Sequence, residues 1–229
     1  MRIIFVRHGQ TPSNVRGILD TRLPGPGLTS LGLEQAFALP EALAGEDISA
    51  IYVSTMVRTQ LTAAYLAASL ELETMERDGL REIASGDLEM RGDAESVRRY
   101  MGTVFEWTRG NLDDRIPGGE NGAEFLERFD AVIEEAVQAG DSTVAIVSHG
   151  AAIRAWTAIR GVNVPRDFII ESPLHNTGIV IVERLPDGRW TVTSFMGEAV
   201  GGDAVDSSHA GPAGEDVAGL AEHIEGRTH

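Results

Sequence analysis

Two histidines in this chain follow apolar runs that are typical of buried strands. His8 follows the run at residues 2–6, with Arg7 directly before it, and His149 follows the run at residues 142–148. The carboxyl ends of parallel strands meet at one edge of a sheet, where open α/β folds bind their ligands. A neutral imidazole can attack phosphorus, and a guanidinium can hold phosphoryl oxygens as a planar fork. The two strand ends therefore predict a site for phosphoryl chemistry.

A second arginine is expected at the same edge. The run at residues 48–53 predicts another strand, and Arg58 follows it about one turn into a predicted helix at residues 55–70. The N-terminus of a helix itself favours anions. Two arginines and two histidines at one edge would form a phosphate pocket, with His8 as the nucleophile. The leaving oxygen also needs a proton donor, and Glu82 is the candidate.

The rest of the sequence alternates between strand and helix patterns. Residues 10–28 are rich in Gly and Pro and predict a loop, after which Thr29 is expected to cap a helix that continues to Leu43. The other predicted elements are a short strand within 71–80, helices at 94–109, 121–139 and 151–160, and strands at 176–184 and 189–195. This order predicts an α/β fold, a three-layer αβα sandwich with a mainly parallel central sheet and a C-terminal hairpin.

The composition limits the classes of function. The chain has 229 residues, no cysteine and a formal net charge of −16. The charge argues against a nucleic-acid partner, and it requires that an anionic substrate be held by a local cationic pocket. No apolar run is long enough to cross a bilayer, so no membrane partner is expected. The chain enters a strand directly after Met1, which argues against a signal peptide and favours a cytoplasmic location.

The composition changes after about residue 197. Residues 198–229 are rich in Gly and Ala and hold seven acidic residues against one arginine, which accounts for −6 of the net charge of −16. Because large apolar residues are scarce there, the segment is predicted to be mostly disordered. The chain is therefore divided into one domain at residues 1–197 and an acidic tail at residues 198–229. No group of side chains has metal-ligand spacing, so neither a metal nor another cofactor is expected.

Five short blocks occur in order along residues 1 to about 196. They are Arg7-His8-Gly9-Gln10-Thr11 with Asn14, residues 28–36, residues 54–63 around Arg58, residues 80–89 around Glu82, and Ser148-His149-Gly150. Together they resemble the histidine phosphatase superfamily, the phosphoglycerate-mutase-like group. The resemblance implies the fold of that group.

The resemblance also implies a two-step reaction without a metal ion. His8 would be phosphorylated, and water would then hydrolyse the phosphohistidine. Glu82 would protonate the leaving oxygen and afterwards act as a base toward water. The groups that would bind the phosphoryl oxygens are Arg7, Asn14, Arg58, His149 and Gly150.

Two blocks depart from the family pattern. Gly119-Glu120-Asn121 stands where the family often has Gly-Glu-Ser. Residues 86–90 read Gly-Asp-Leu-Glu-Met where the family usually has Gly-x-Trp-Glu-Gly. The missing Trp and Gly put the loop shape in question, so Asp87 and Glu89 stay open as alternative donors to Glu82.

Three functions follow from this reading. The first is a bacterial phosphatase acting on a small phosphorylated metabolite, and the second is a cofactor-dependent phosphoglycerate mutase. Mutases of the family carry a longer basic insertion in the middle of the chain, whereas residues 81–120 are a short variable insertion on the substrate side, which favours the phosphatase. The third is a catalytically poor binding module that uses its acidic tail. A homodimer is possible, with the apolar strand Ile179–Val182 either pairing across it or lying inside the sheet.

Overall fold

A six-stranded sheet with helices on both faces forms the protein. A computed structural model describes residues 1–165, 172–201 and 211–214. The strands are β1 (Arg2–Arg7), β2 (Ala50–Ser54), β3 (Thr74–Arg77), β4 (Thr143–Ser148), β5 (Ile179–Arg184) and β6 (Trp190–Met196). The helices are α1 (Pro12–Val15), α2 (Ser30–Ala42), α3 (Val57–Leu70), α4 (Ala94–Thr108), α5 (Gly122–Ala139) and α6 (Gly150–Arg160). The predicted α/β sandwich is confirmed.

The sheet is mainly parallel and ends in a hairpin. Its strand order is β3-β2-β4-β1-β5-β6, in which β1, β2, β3 and β4 are mutually parallel. β5 runs antiparallel to β1, and β6 runs antiparallel to β5. Because β5 pairs on both sides, the strand Ile179–Val182 lies inside the sheet and is not an edge that a second copy could extend.

Each strand of the sheet centre is buried on both faces, and this explains its continuous apolar pattern. In β1, Ile3 and Phe5 point to the layer of α4, α5 and α6, where the core also holds Phe129 and Trp156. Side chains alternate along a strand, so Ile4 and Val6 point to the opposite layer of α2 and α3.

The helix boundaries follow from the capping residues. Thr29 begins α2 by accepting a hydrogen bond from the Gly32 N–H, as its sequence position predicts. Asn121 and Glu124 form a reciprocal capping box at the start of α5. Gly140 ends that helix in a left-handed conformation. The predicted loop at residues 10–28 needs a correction, because Thr11 and Pro12 begin the one-turn helix α1 there.

Strand register brings the predicted chemistry to one edge. Arg7 lies opposite Ser148 in the β1–β4 pair, and Val53 lies opposite Val147 in the β2–β4 pair. The residues that follow these three strands are therefore neighbours. In the part of the chain that the structure describes, no helix has the length and apolar character needed to cross a membrane.

The acidic tail is described only in part. Residues 202–210 and 215–229 lie outside the described residues, as do residues 166–171, so most of the segment predicted to be disordered is not covered. Residues 211–214 are described, and they pack against the carboxyl edge of β1 and β4. Gly211, Pro212 and Gly214 are buried there.

Candidate active site

His8 lies directly after β1 with one ring nitrogen engaged. Its Nδ1 is 2.8 Å from the carbonyl oxygen of Gly9. A carbonyl oxygen only accepts hydrogen bonds, so Nδ1 carries the proton and donates it. In the neutral ring, the lone pair is then on Nε2. His8 also lines a small cavity at the sheet edge, where such a nitrogen can act as a nucleophile.

The surroundings keep the His8 ring neutral. Burial lowers its pKa well below the usual 6.5, and the positive charges of Arg58 and Arg7 lower it further. The hydrogen bond to Gly9 acts in the opposite direction and is the weaker influence. Neutral imidazole is the nucleophilic form, so His8 is held in its reactive state at neutral pH.

Arg58, His149 and Ser54 form a buried chain of hydrogen bonds. Arg58 Nε donates to His149 Nδ1 over 3.2 Å, and His149 Nε2 lies 3.0 Å from Ser54 Oγ. Because a guanidinium only donates, His149 carries its proton on Nε2 and donates it to Ser54. The His8 and His149 rings meet edge to face, with centroids 5.3 Å apart. His149 is fully buried and does not itself line the cavity, although it contacts Arg58 and His8, which do.

The two predicted arginines and the two predicted histidines therefore converge, and burial lowers the pKa of each histidine and of Arg58. Burial, and then the charge of Arg58, lowers the pKa of His149 well below its usual value. Burial also lowers the pKa of Arg58, whereas Glu82 and Asp20 raise it. A guanidinium titrates so far above neutrality that Arg58 keeps its charge.

Arg7 and Asn14 complete the phosphate side of the cavity. Arg7 is 1% exposed, and its Nη1 donates to the Leu174 carbonyl over 2.6 Å. Asn14 Oδ1 accepts hydrogen bonds from the Thr11 N–H and hydroxyl, so its amide group is oriented by α1. Gly150 lies against Arg7, because a methyl group there would be 3.0 Å from Arg7 Nε. Gly150 thus allows the guanidinium its position.

Glu82 lines the same cavity and is held by three backbone N–H groups. Its Oε1 accepts from Ile83 and Ala152 over 2.9 Å each, and its Oε2 accepts from Ala151 over 3.1 Å. Ala151 and Ala152 belong to the first turn of α6, whose N–H groups have no partner within the helix and bind the Glu82 oxygens instead. The loop from residue 79 to residue 84 thus places Glu82 beside the helix that follows His149.

The tail supplies part of the cavity wall. Pro212 and Ala213 line the cavity, whose volume is ≈ 30 Å³, room for about two water molecules. The Ala213 carbonyl accepts from Arg154 Nη1 over 3.0 Å, and the Gly214 carbonyl accepts from the Leu174 N–H over 3.0 Å. Even a methyl group at Gly214 would lie 1.6 Å from Arg7 Nη1. The segment therefore fits closely over the phosphate-binding side of the site.

The sequence profile of the histidine phosphatase superfamily, branch 1, matches residues 3–196. The chain belongs to the histidine phosphatase superfamily. The match extends from the first residues of β1 to the last residue of β6, so it includes every predicted catalytic residue and ends before the tail.

Several relatives of this superfamily member are known. A PE-PGRS family protein of Mycobacterium tuberculosis is 36% identical over 87% of the chain, although the chain spans 37% of that protein's length. Phosphoserine phosphatase 1 of Hydrogenobacter thermophilus is 30% identical, over 72% of the chain and 79% of the relative. A protein of Salmonella choleraesuis named as a probable phosphoglycerate mutase is also 30% identical, over 67% of the chain and 71% of the relative.

The fold is shared with solved structures of the superfamily. The native structure of mycobacterial glucosyl-3-phosphoglycerate phosphatase superposes with a TM-score of 0.72 over 86% of this chain and 99% of the other, at 23% identity. At that identity the likeness concerns the fold, and the site has to be argued from this chain's own residues.

Among the three acids considered as donors in this superfamily member, only Glu82 lines the cavity. Glu89 accepts hydrogen bonds from the Thr21 N–H and hydroxyl and from the Ser85 hydroxyl, so it holds two loops together. Those bonds lower its pKa despite burial, the largest single influence, which acts in the opposite direction. Asp87 is exposed and lies outside the cavity.

Further residues near the site have structural roles. Gln10 and Thr11 shape the loop, because Gln10 accepts from Thr29 and Thr11 caps α1. Phe105 and Trp107 belong to the core, whereas Tyr100 lies in the core and also lines the cavity.

Sequence reasoning missed several residues of the site. They are Ser54, Thr62, Asn176, Pro212 and Ala213. Thr62 accepts from the Gly9 N–H over 2.9 Å, and Asn176 donates to the His8 carbonyl over 2.9 Å. Thr62 and Asn176 thus support the backbone on either side of His8, and nothing in the sequence context of the five residues gives a signal for a role at the site. Among the described residues, no cluster of His, Asp and Glu could hold a metal ion.

Proposed function

We propose that this protein is a metal-independent phosphatase that hydrolyses a small phosphate monoester through a phosphohistidine at His8. The observation that carries the proposal is the state of His8, a buried neutral ring whose Nδ1 is committed to Gly9 and whose Nε2 holds the lone pair. Two buried arginines, Arg7 and Arg58, line the same cavity and supply the charge that a phosphoryl group needs.

The reaction proceeds in two balanced steps. His8 Nε2 forms a bond to phosphorus while the phosphorus–oxygen ester bond breaks, and Glu82 gives its proton to the leaving alkoxide. Water then attacks the phosphohistidine, Glu82 takes back a proton, and the nitrogen–phosphorus bond breaks to release phosphate. Arg7, Arg58 and the Asn14 amide stabilise the phosphoryl oxygens in both transition states.

His149 contributes through Arg58 in this scheme. It fixes the Nε–H of the guanidinium, and its own Nε2–H is directed to Ser54. Arg58 Nη2 also donates to the Asp20 carbonyl over 3.1 Å, so the guanidinium keeps a constant orientation at the cavity, where its other N–H groups bind the phosphoryl oxygens. Gly150 leaves space for Arg7 next to it. The family relatives named as phosphatases support the reaction class, and their substrates guide the choice of compounds to test.

The test measures phosphate release in EDTA from a panel of monoesters by wild type and His8→Ala. The panel holds phosphoserine, 3-phosphoglycerate, glucosyl-3-phosphoglycerate, α-ribazole phosphate and p-nitrophenyl phosphate. We expect release by wild type alone, and a base-stable, acid-labile phosphoryl label on wild type after rapid quenching. Equal release by His8→Ala would refute the mechanism. Isomerisation of phosphoglycerate that depends on added bisphosphate, without net release, would identify a mutase instead.

A further inference from the structure

The segment that carries Glu82 is held by side chains along its whole length. Five successive carbonyl oxygens, those of residues 79–83, each accept a hydrogen bond from a side chain. Ser148 Oγ binds the Leu80 carbonyl over 2.8 Å, and the Tyr100 hydroxyl binds the Ile83 carbonyl over 2.8 Å. Apart from the single 3-10 turn at Asp78–Leu80, this segment lies outside regular structure, where the backbone is normally free to move, so its fixation indicates a role.

Arg128 of α5 makes the other three of these bonds. Its Nη1 donates to the carbonyls of Gly79 and Arg81 over 2.7 Å and 2.8 Å, and its Nη2 donates to the Glu82 carbonyl over 3.3 Å. Its Nε and Nη2 also donate to the two oxygens of Glu120 over 2.8 Å and 2.7 Å. A guanidinium has five N–H donors, and all five are used.

Glu120 extends the contact to the other side of Glu82. Its Oε1 accepts from the Ala84 N–H over 2.8 Å while it binds Arg128. The ion pair therefore holds the backbone both before and after Glu82. The two side chains are 17% and 14% exposed, and the guanidinium lies over the Phe125 ring at 5.2 Å. Because removing two charges from water costs much of the energy that their attraction returns, such a pair adds little net stability.

We propose that Arg128 and Glu120 are positioning residues that hold the Glu82 carboxyl in place for proton transfer, a role that rests on the proposed function. Neither side chain lines the cavity. They act through the backbone of residues 79–84, which sets where the Glu82 carboxyl meets the first turn of α6. A lysine at position 128 offers three donors in place of a rigid fork, so it releases at least part of this segment.

The experiment compares two substrates that differ in their need for a proton. An alkyl phosphate such as phosphoserine has a leaving group that must be protonated, whereas p-nitrophenolate leaves as an anion. The value of kcat/KM is measured for both, because it reports only the steps up to the first irreversible one, which is leaving-group release. General acid catalysis contributes about 10²–10⁴-fold, so Glu82→Gln loses about that much on the alkyl phosphate and about tenfold or less on p-nitrophenyl phosphate.

Arg128→Lys is expected to lower kcat/KM for the alkyl phosphate by about tenfold or more, with a smaller loss for p-nitrophenyl phosphate. Glu120→Gln is expected to change the two values in the same direction. The matched control is Arg115→Lys. Arg115 Nη2 forms an exposed ion pair over 2.6 Å with Oε1 of Glu124, which lies in the first turn of α5. Arg115 does not contact residues 79–84. This control should leave the ratio of the two kcat/KM values unchanged. Thermal unfolding establishes that each variant is folded at the assay temperature.

Two results would overturn the proposal, and they are distinguishable. In the first, Glu82→Gln lowers kcat/KM mainly for the alkyl phosphate, whereas folded Arg128→Lys lowers kcat/KM equally for both substrates. The positioning role is then wrong, and the assignment of Glu82 stands. If Glu82→Gln itself shows no selectivity, Glu82 is not the donor, and the role of Arg128 falls together with that part of the proposed function.

Discussion

The pH dependence of stability provides a direct test of the buried histidine pair. His8 and His149 have pKa values held well below 6.5 in the folded protein, by burial first and by Arg58 next. In the unfolded chain both titrate near 6.5. Between the folded and unfolded pKa values the unfolded state binds more protons, so acid favours unfolding. The free energy of unfolding should therefore fall as the pH is lowered through 6.5.

The size of the fall in the free energy of unfolding follows from the protons that the unfolded chain takes up. One histidine that stays neutral when folded and titrates at 6.5 when unfolded contributes a loss of about 1.3 kcal/mol in the free energy of unfolding between pH 7.0 and pH 5.5. Two such residues, His8 and His149, lose about 2.5 kcal/mol together. Carboxylates contribute little in this window, because their ordinary pKa values lie near 4.

The assay is urea unfolding at pH 7.0, 6.5, 6.0 and 5.5, with tryptophan fluorescence as the signal. Wild type should lose about 2.5 kcal/mol across the range, His8→Asn about half of that, and the double variant with His149→Asn almost none of it. The reasoning would be refuted if the double variant kept the full slope of the wild type. The ring proton signals of the two histidines in NMR spectra give a second measurement, and neither should titrate near pH 6.5.

Three further substitutions have calculable effects. Arg58→Lys removes the bond to His149, so kcat/KM should fall about 10²–10³-fold, and the buried His149 Nδ1 left without its donor should cost about 1–3 kcal/mol in urea unfolding. Phe129→Ala opens a cavity in a fully buried aromatic cluster and should cost about 3–5 kcal/mol in urea unfolding, with activity kept at low temperature. Gly32→Ala places a methyl group 2.2 Å from the Gln10 carbonyl, so it should cost about 1–3 kcal/mol and raise KM by displacing the loop after His8; an unchanged KM would contradict the second part.

The sheet edge could be predicted because its signals are local. Apolar runs identify strands, and strand ends in a parallel sheet share an edge, so Arg7, His8 and His149 converge without further information. The structure confirms the mainly parallel sheet and the terminal hairpin. The short helix α1 was not expected, although Thr11 followed by Pro12 is a normal helix start; one turn gives no periodic apolar pattern to detect.

The donor could not be chosen from the sequence because three acids lie within eight residues. The roles of Glu82, Asp87 and Glu89 depend on their surroundings: Glu82 binds the N–H groups of α6, Glu89 binds those of Thr21 and Arg22, and Asp87 is exposed to solvent. The same reasoning applies to Arg128. Arg128 lies on an amphipathic helix, where its sequence context is that of any solvent-exposed arginine. The backbone carbonyls that it binds are 46 or more positions away in the sequence.

The segment Gly211–Gly214 extends the candidate active site beyond the part of the chain that the family profile matches. The family profile ends at residue 196, and a shortened chain that ended there would keep every residue of the proposed reaction. It would nevertheless lack Pro212, Ala213 and the backbone that rests against Arg7. Selectivity measured on such a fragment would describe a wider opening than the native one. Kinetic comparison with relatives should therefore be made on chains that include this segment, because Pro212 and Ala213 form part of the cavity wall.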